Sequence, residues 1–219
     1  MKKSKPVSIL FSVLTALLML SFSIAMPLLV RPFYYAQISP LRLEAQSGLT
    51  TPEIREAFDD VMDFCLGKRP DFAAGVLPFS ESGASHFADV KVLFLLDLRV
   101  LGISAILTAA LLALCRLRRL EPYRFLGHRP YFWSAAGLTA VFAVIGVLGA
   151  IDFDRLFTVF HTLFFPGKTN WYFDPWVDPV ILILPERFFA NCAILIGSVL
   201  ILLCAVCLIA DRRSHERET

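Results

Sequence analysis

Two histidines, His86 and His161, are the residues of this sequence best suited to carry chemistry. An imidazole titrates near neutral pH and can take a proton from one group and return it to another, as acyl transfer demands. Each stands beside an apolar stretch long enough to cross a bilayer: His86 precedes one (92–115) by six residues and His161 follows another (131–151) by ten. Charged residues share the same segments, with Asp89 and Lys91 after His86, Asp154 before His161, and Asp174, Asp178 and Glu186 after it. Two imidazoles at one membrane boundary could divide the tasks of base and acid. Helix capping or local hydrogen bonding accounts equally well for either one taken alone.

Other chemistries have weaker support. A metal site of His86, His161 and one aspartate is open, but no dense ligand motif such as H-E-x-x-H occurs. Ser85 adjoins His86, with Ser80 and Ser82 nearby, yet there is no G-x-S-x-G elbow, phosphate loop or dinucleotide fingerprint. A cofactor-free and metal-free mechanism is the expectation. His128, in Leu126-Gly127-His128-Arg129, and His215, in the C-terminal tail, fall in polar segments and are expected to be solvated. Of the five cysteines only Cys65 lies outside a span or its ends, which argues against a structural disulfide.

The elements that must position these residues follow from hydropathy and charge. The chain is 57% apolar and 18% charged, too apolar for an ordinary soluble domain. Its net charge of +2 gives no reason to expect a nucleic-acid partner. Four stretches, 7–30, 92–115, 131–151 and 188–210, suffice to cross a hydrocarbon core about 30 Å thick. The second carries Asp97 and Arg99 in its first two turns, where side chains can snorkel or pair. The first exceeds a signal-peptide core and no A-x-A site follows it, so it reads as a retained helix.

Taken together, segments 1–6, 116–130 and 211–219 hold 11 Lys and Arg against 4 Asp and Glu, whereas 31–91 and 152–187 hold 9 against 14. Positive charge stays inside. The expected fold is therefore an all-α membrane protein of four transmembrane helices, a single membrane domain over 1–219 with both termini cytoplasmic. Segments 31–91 and 152–187 would form a small extracytoplasmic cap on the cell membrane.

Within the first external segment, Thr51-Pro52-Glu53 has the chemistry of a helix start. Ile54, Ala57, Phe58, Val61, Met62 and Cys65 then recur at helical spacing, Gly67 stops the pattern, and the stripe is expected to pack on protein. Residues 78–85, rich in Pro, Gly and Ser, read as loop. In the second external segment, Asp154, Thr158 and His161 share one helical face, so the third span is expected to continue outward with a polar stripe ending in His161. Pro166 to Asn170 reads as a turn, and Trp171, Tyr172 and Trp176 as rings at the headgroup level.

The four spans, the run Ser85-His86-Phe87-Ala88-Asp89-Val90-Lys91, and Phe160-His161-Thr162-Leu163-Phe164-Phe165 followed by Trp171-Tyr172-Phe173-Asp174-Pro175, Asp178-Pro179 and Leu184-Pro185-Glu186-Arg187 resemble the lipoprotein intramolecular transacylase family of Gram-positive bacteria. The resemblance covers nearly the whole chain and is most specific in the second external segment. It implies an enzyme that moves the sn-2 acyl chain of a diacylglyceryl-cysteine to the α-amine of the same cysteine. The partners implied are a diacylglyceryl-modified lipoprotein and membrane lipid, with the site on the extracytoplasmic face. The family's two essential histidines map onto His86 and His161, with Asp89, Lys91, Asp154, Trp171 and Asp174 in support.

An α-amine with a pKa near 8 is mostly protonated at pH 7 and needs a base. His161 is favoured for that role, with Asp154 orienting it, and His86 as acid or transient acyl carrier. Lys91, Asn170, Trp171 or backbone N–H groups near Gly167 are candidates for the oxyanion. Two alternatives stay open: a non-catalytic membrane protein whose cap binds a partner or lipopeptide, and a metal-dependent membrane hydrolase.

Overall fold

The structure, a computed structural model, describes residues 2–216; Arg217, one of the cations of segment 211–219, lies outside the described residues. In chain order the elements are β1 (Lys2–Ser4), α1 (Lys5–Leu29), α2 (Arg31–Tyr35), α3 (Leu43–Ser47), α4 (Thr51–Cys65), α5 (Glu81–Leu117), β2 (Leu120–Pro122), α6 (Pro130–Ile151), α7 (Phe153–Phe164), α8 (Val180–Ile183) and α9 (Glu186–Glu216). Helices α1, α5, α6 and α9 are long and apolar enough to cross a membrane. The strands form a parallel pair in which Lys2, Lys3 and Ser4 face Leu120, Glu121 and Pro122, an addition to the purely helical expectation. Three residues per strand are too few for an alternation pattern to register.

The chain divides into two compact units, one of residues 1–25, 98–147 and 195–219, the other of 26–97 and 148–194. The first is built from the long helices. Met19, Ala135, Leu200 and Cys204 form one buried cluster and Leu14, Leu111 and Cys115 another. Small residues let the helices approach: Ser134 Oγ donates to the Ser12 carbonyl at 2.6 Å, and Ser12 Oγ to that of Pro130 at 2.9 Å. Ile9, Val13, Val141, Val144 and Ile201 remain exposed, as lipid-facing residues must.

The second unit is built around α4. Ile54, Ala57, Phe58, Val61, Met62 and Cys65 are all buried, so the apolar stripe packs on protein. Tyr34 stacks on Phe58 with ring centroids 3.6 Å apart, and its hydroxyl donates to the Ile183 carbonyl at 2.8 Å. The acidic face is neutralised internally: Arg31 bridges Asp59 and Asp63, and Arg69 pairs with Asp60. The cap of α4 is Thr50, one residue before the expected position; the Glu53 carboxylate accepts its N–H at 2.8 Å and its hydroxyl at 2.7 Å. Thr51 instead donates its hydroxyl to Glu44 at 2.6 Å.

Two boundaries differ from expectation, and both move a histidine. Helix α5 begins at Glu81, within the stretch expected to be loop. Gly83 N–H donates to Ser80 Oγ at 2.9 Å, so the Ser-rich composition is N-cap chemistry. At 37 residues α5 is about 55 Å long, well beyond the hydrocarbon thickness. His86 therefore rides on a helical turn ahead of the span 92–115. The third span does not continue into α7: Asp152 is extended (φ −156°, ψ 93°) and accepts the Arg155 N–H at 3.0 Å, capping a new helix. A strong N-cap residue directly after the apolar run ends one helix and starts the next.

Candidate active site

His86, near the start of α5, and His161, in the last turn of α7, meet inside the second unit with ring centroids 5.8 Å apart. Both are buried, at 5% and 7% exposure. Aromatic rings wall them in. Phe165 and Phe173 stand edge-on to His86 at 5.1 and 5.5 Å, while Trp171 stacks on His161 at 4.7 Å and Phe157 lies 4.1 Å from it.

The start of α5 is pinned by Asp178, a carboxylate that the sequence places near the histidines without a role of its own. Asp178, 6% exposed, accepts the Ser80 N–H through Oδ1 and the Ser80 hydroxyl through Oδ2, both at 2.7 Å. A Cβ at Gly83 would lie 2.4 Å from Asp178 Oδ1, so glycine is needed for the carboxylate to reach the cap. A negative charge at a helix N-terminus is also favoured by the dipole. The serines and the glycine were visible in the sequence, but their partner lies 98 residues on.

His161 Nδ1 lies 2.8 Å from the Phe157 carbonyl. A carbonyl only accepts, so in the neutral ring Nδ1 carries the hydrogen and Nε2 the lone pair. Burial pushes the His161 pKa below the usual histidine range, and the Phe157 contact offsets only part of this. His86 is pushed down to about 4 by burial and by His161; Asp89 opposes the shift and Lys168 adds to it. His86 Nδ1 is buried and hydrogen-bonds to no protein group. Both rings are thus neutral at pH 7, and a proton on one disfavours a proton on the other.

The expected supporting residues divide sharply. Asp89, one turn from His86 on the same side of α5, is held by Lys168 Nζ and by Asn170 Nδ2 at 3.1 Å. Burial alone would raise its pKa, but those partners hold it below the ordinary carboxylate value. Lys91, five residues from His86, projects in a different direction. Its ammonium lies 4.2 Å from the Phe64 ring centroid and donates to the Arg69 carbonyl at 3.4 Å. Asp154 is exposed and does not orient His161; seven residues is about 10 Å along a helix, whereas the i−4 carbonyl is adjacent.

Trp171 turns inward onto His161, but its Nε1–H is spent on the Lys168 carbonyl at 3.1 Å rather than aimed at an oxyanion. Tyr172 and Trp176 stay exposed. Asp174 shapes a turn by accepting the Trp176 N–H at 2.9 Å, leaving the structural carboxylate role to Asp178. Among the described residues, no third His, Cys, Asp or Glu joins the His86–His161 pair at ligand distance.

Four membrane-length helices and a buried, aromatic-walled histidine pair define a multi-pass membrane protein with the makings of an acid–base site. The chain belongs to the lipoprotein intramolecular transacylase (Lit) family, whose sequence pattern matches residues 9–189. It is therefore an enzyme of lipoprotein processing. The fold is similar to the in meso structure of the membrane-integral lipoprotein intramolecular transacylase Lit from Bacillus cereus, with a TM-score of 0.84 and 22% identity over 98% of this chain and 97% of that one. Structures of that protein with one histidine replaced by arginine or by alanine match with TM-scores of 0.77, again at 22% identity. The arginine variant is covered over 97% of this chain and 92% of that one, the alanine variant over 98% and 95%. No curated protein matches the chain by sequence.

Proposed function

We propose that the protein moves the sn-2 acyl chain of a diacylglyceryl-cysteine lipoprotein onto the α-amine of the same cysteine, with His161 as base and His86 as its proton-handling partner. The observation that carries this reading is the pair itself: two buried, neutral imidazoles with centroids 5.8 Å apart. The amine nitrogen attacks the ester carbonyl, the bond to the sn-2 oxygen breaks, and an amide and a free hydroxyl result. One proton moves from nitrogen to oxygen. A neutral pair can accept the amine proton and, because its protonated form is disfavoured by burial, passes it on readily to the departing sn-2 oxygen.

The base role falls to His161 because its Nδ1 is committed to the Phe157 carbonyl, leaving Nε2 to accept the amine proton. This replaces the orienting carboxylate expected from sequence. Aromatic walls favour the acyl chain and exclude water that would divert the ester to hydrolysis. Amine and ester belong to one molecule, so holding them together can supply much of the rate, with effective molarities reaching about 10⁵ M or more in oriented systems. The excess of Lys and Arg in segments 1–6, 116–130 and 211–219 supports an extracytoplasmic site with cytoplasmic termini. Exposed Tyr172 and Trp176 suit the membrane surface there.

The test is conversion of a synthetic diacylglyceryl lipopeptide with a free amine by purified protein in detergent. The expected product has unchanged mass, no reactive amine and a free sn-2 hydroxyl. Hydrolysis to free fatty acid, or turnover that survives loss of either histidine, would sink the proposal.

A further inference from the structure

The two histidines expected in solvent are not free. His128, in the turn between β2 and α6, and His215, at the end of α9, converge on Asp211 in the unit made of residues 1–25, 98–147 and 195–219. We propose that His128, Asp211 and His215 form a binding site for a divalent first-row transition ion, Zn²⁺ being the type case.

Asp211 is 2% exposed although it lies on the last, polar part of α9. Its Oδ1 accepts the Arg129 N–H at 2.9 Å, which fixes the carboxylate and leaves Oδ2 facing both rings. His128 Nδ1 lies 2.6 Å from Oδ2 and His215 Nε2 3.8 Å from it. His215 Nε2 is buried and makes no hydrogen bond, so a metal-ligating nitrogen faces the carboxylate beyond hydrogen-bond distance. Packing sets the His128 ring independently of that carboxylate, since it stacks on Phe132 with centroids 3.8 Å apart.

One ligand atom from each residue lies within 4.8 Å of the others. Tetrahedral zinc, with bonds of about 2.0–2.1 Å, needs ligand atoms roughly 3.3 Å apart. The His128 contact must open and the His215 contact close, each by less than about 1 Å. Two imidazoles and one carboxylate are a donor set such ions accept, with the remaining position left to water. Asp211 and His215 are spaced i, i+4 on one helix and therefore share a face. The Arg129 N–H supplies the outer hydrogen bond that ligating carboxylates commonly have. Arg212, whose charge would oppose a cation, pairs with Glu216 at 3.2 Å.

The experiment uses the full chain without an affinity tag, in detergent and stripped by chelator. Co²⁺ titration should give one equivalent of a d–d absorption of tetrahedral intensity, which Zn²⁺ then displaces. Asp211→Asn and His215→Ala should each weaken binding about 100-fold or more, while a His86→Ala/His161→Ala double variant keeps the full equivalent. Zn²⁺ should raise the wild-type melting temperature and leave that of His215→Ala unmoved. Absence of saturable uptake by the wild-type chain overturns the proposal even if a variant fails to fold. So do equal uptake by His215→Ala and loss of uptake in the double variant.

Discussion

The molecule holds two pairs of histidines, and their surroundings differ in kind. His86 and His161 are enclosed by Phe157, Phe165, Trp171 and Phe173, and among the described residues no carboxylate is hydrogen-bonded to either ring; Asp89, one turn from His86, is taken by Lys168 and Asn170. His128 and His215 face Asp211, which is 2% exposed and within 2.6 Å of one of them. An imidazole among hydrocarbon rings loses its protonated form first, because a charge there has neither solvent nor counter-ion. Two imidazole nitrogens facing a buried carboxylate instead supply the donors and the negative charge that a metal cation needs. The first pair is thus prepared to borrow a proton briefly and the second to keep a cation. The same side chain acquires opposite uses from what touches it.

The comparison breaks most visibly if the first pair is dispensable. His161→Ala and His86→Ala should each lower lipopeptide turnover about 10²–10⁴-fold, the range for losing a general acid or base. The far-ultraviolet circular dichroism of each should match wild type, because neither ring bonds to another side chain. A loss under tenfold for either would reduce that residue to a wall of the site.

Next in size is the clasp on α5. Asp178→Ala removes the acceptor for the Ser80 N–H and hydroxyl, and should cost about 2–3 kcal/mol of stability, read by thermal unfolding. Asp178 would act as a positioning residue, so kcat should fall while KM stays within about twofold, and Asp178→Asn, which keeps one acceptor oxygen, should recover part of both. Gly83→Ala should reproduce the alanine phenotype, because the added methyl meets Asp178 Oδ1. Stability lost without change in kcat would leave the clasp purely structural.

These residues also mark where the sequence stops being legible. The four spans, the buried stripe of α4 and the two histidines of the site could be named because each depends on local periodicity or on one chemically distinctive side chain. The clasp could not, since Ser80 and Asp178 are 98 residues apart and the Ser- and Gly-rich run imitates a loop. Asp154 misled for the opposite reason: helical spacing put it on the face of His161, but spacing omits the backbone carbonyl already within reach. The sequence predicts solvated side chains for His128 and His215 because polar segments are usually wet. Only the fold brings both to one buried carboxylate 83 residues from the first of them.

A smaller effect sharpens the contrast in charge. Histidine resonances followed by NMR in detergent should give His86 a midpoint near 4 and His161 one below 6.5. Because both values are lowered, the base form persists as pH falls through 6.5, and activity should not decline there on account of either ring. A midpoint for His86 at or above 6.5 would mean that water or a carboxylate reaches the ring.

The smallest effect separates the two pairs most cleanly. If a carboxylate were part of the first site, Asp154 is the residue whose position on α7 would supply it. It is exposed, and the hydrogen bond that fixes the tautomer of His161 goes to the Phe157 carbonyl, which no side-chain substitution removes. Asp154→Ala should therefore leave kcat and KM within about twofold of wild type, since surface substitutions of this kind usually change stability by no more than about 0.5 kcal/mol. A fall of tenfold or more would show that the carboxylate reaches the imidazole during turnover. His161 would then work in partnership with a charge, as His128 does beside Asp211, and the division between a ring-enclosed pair and a carboxylate-facing pair would be one of resting state alone.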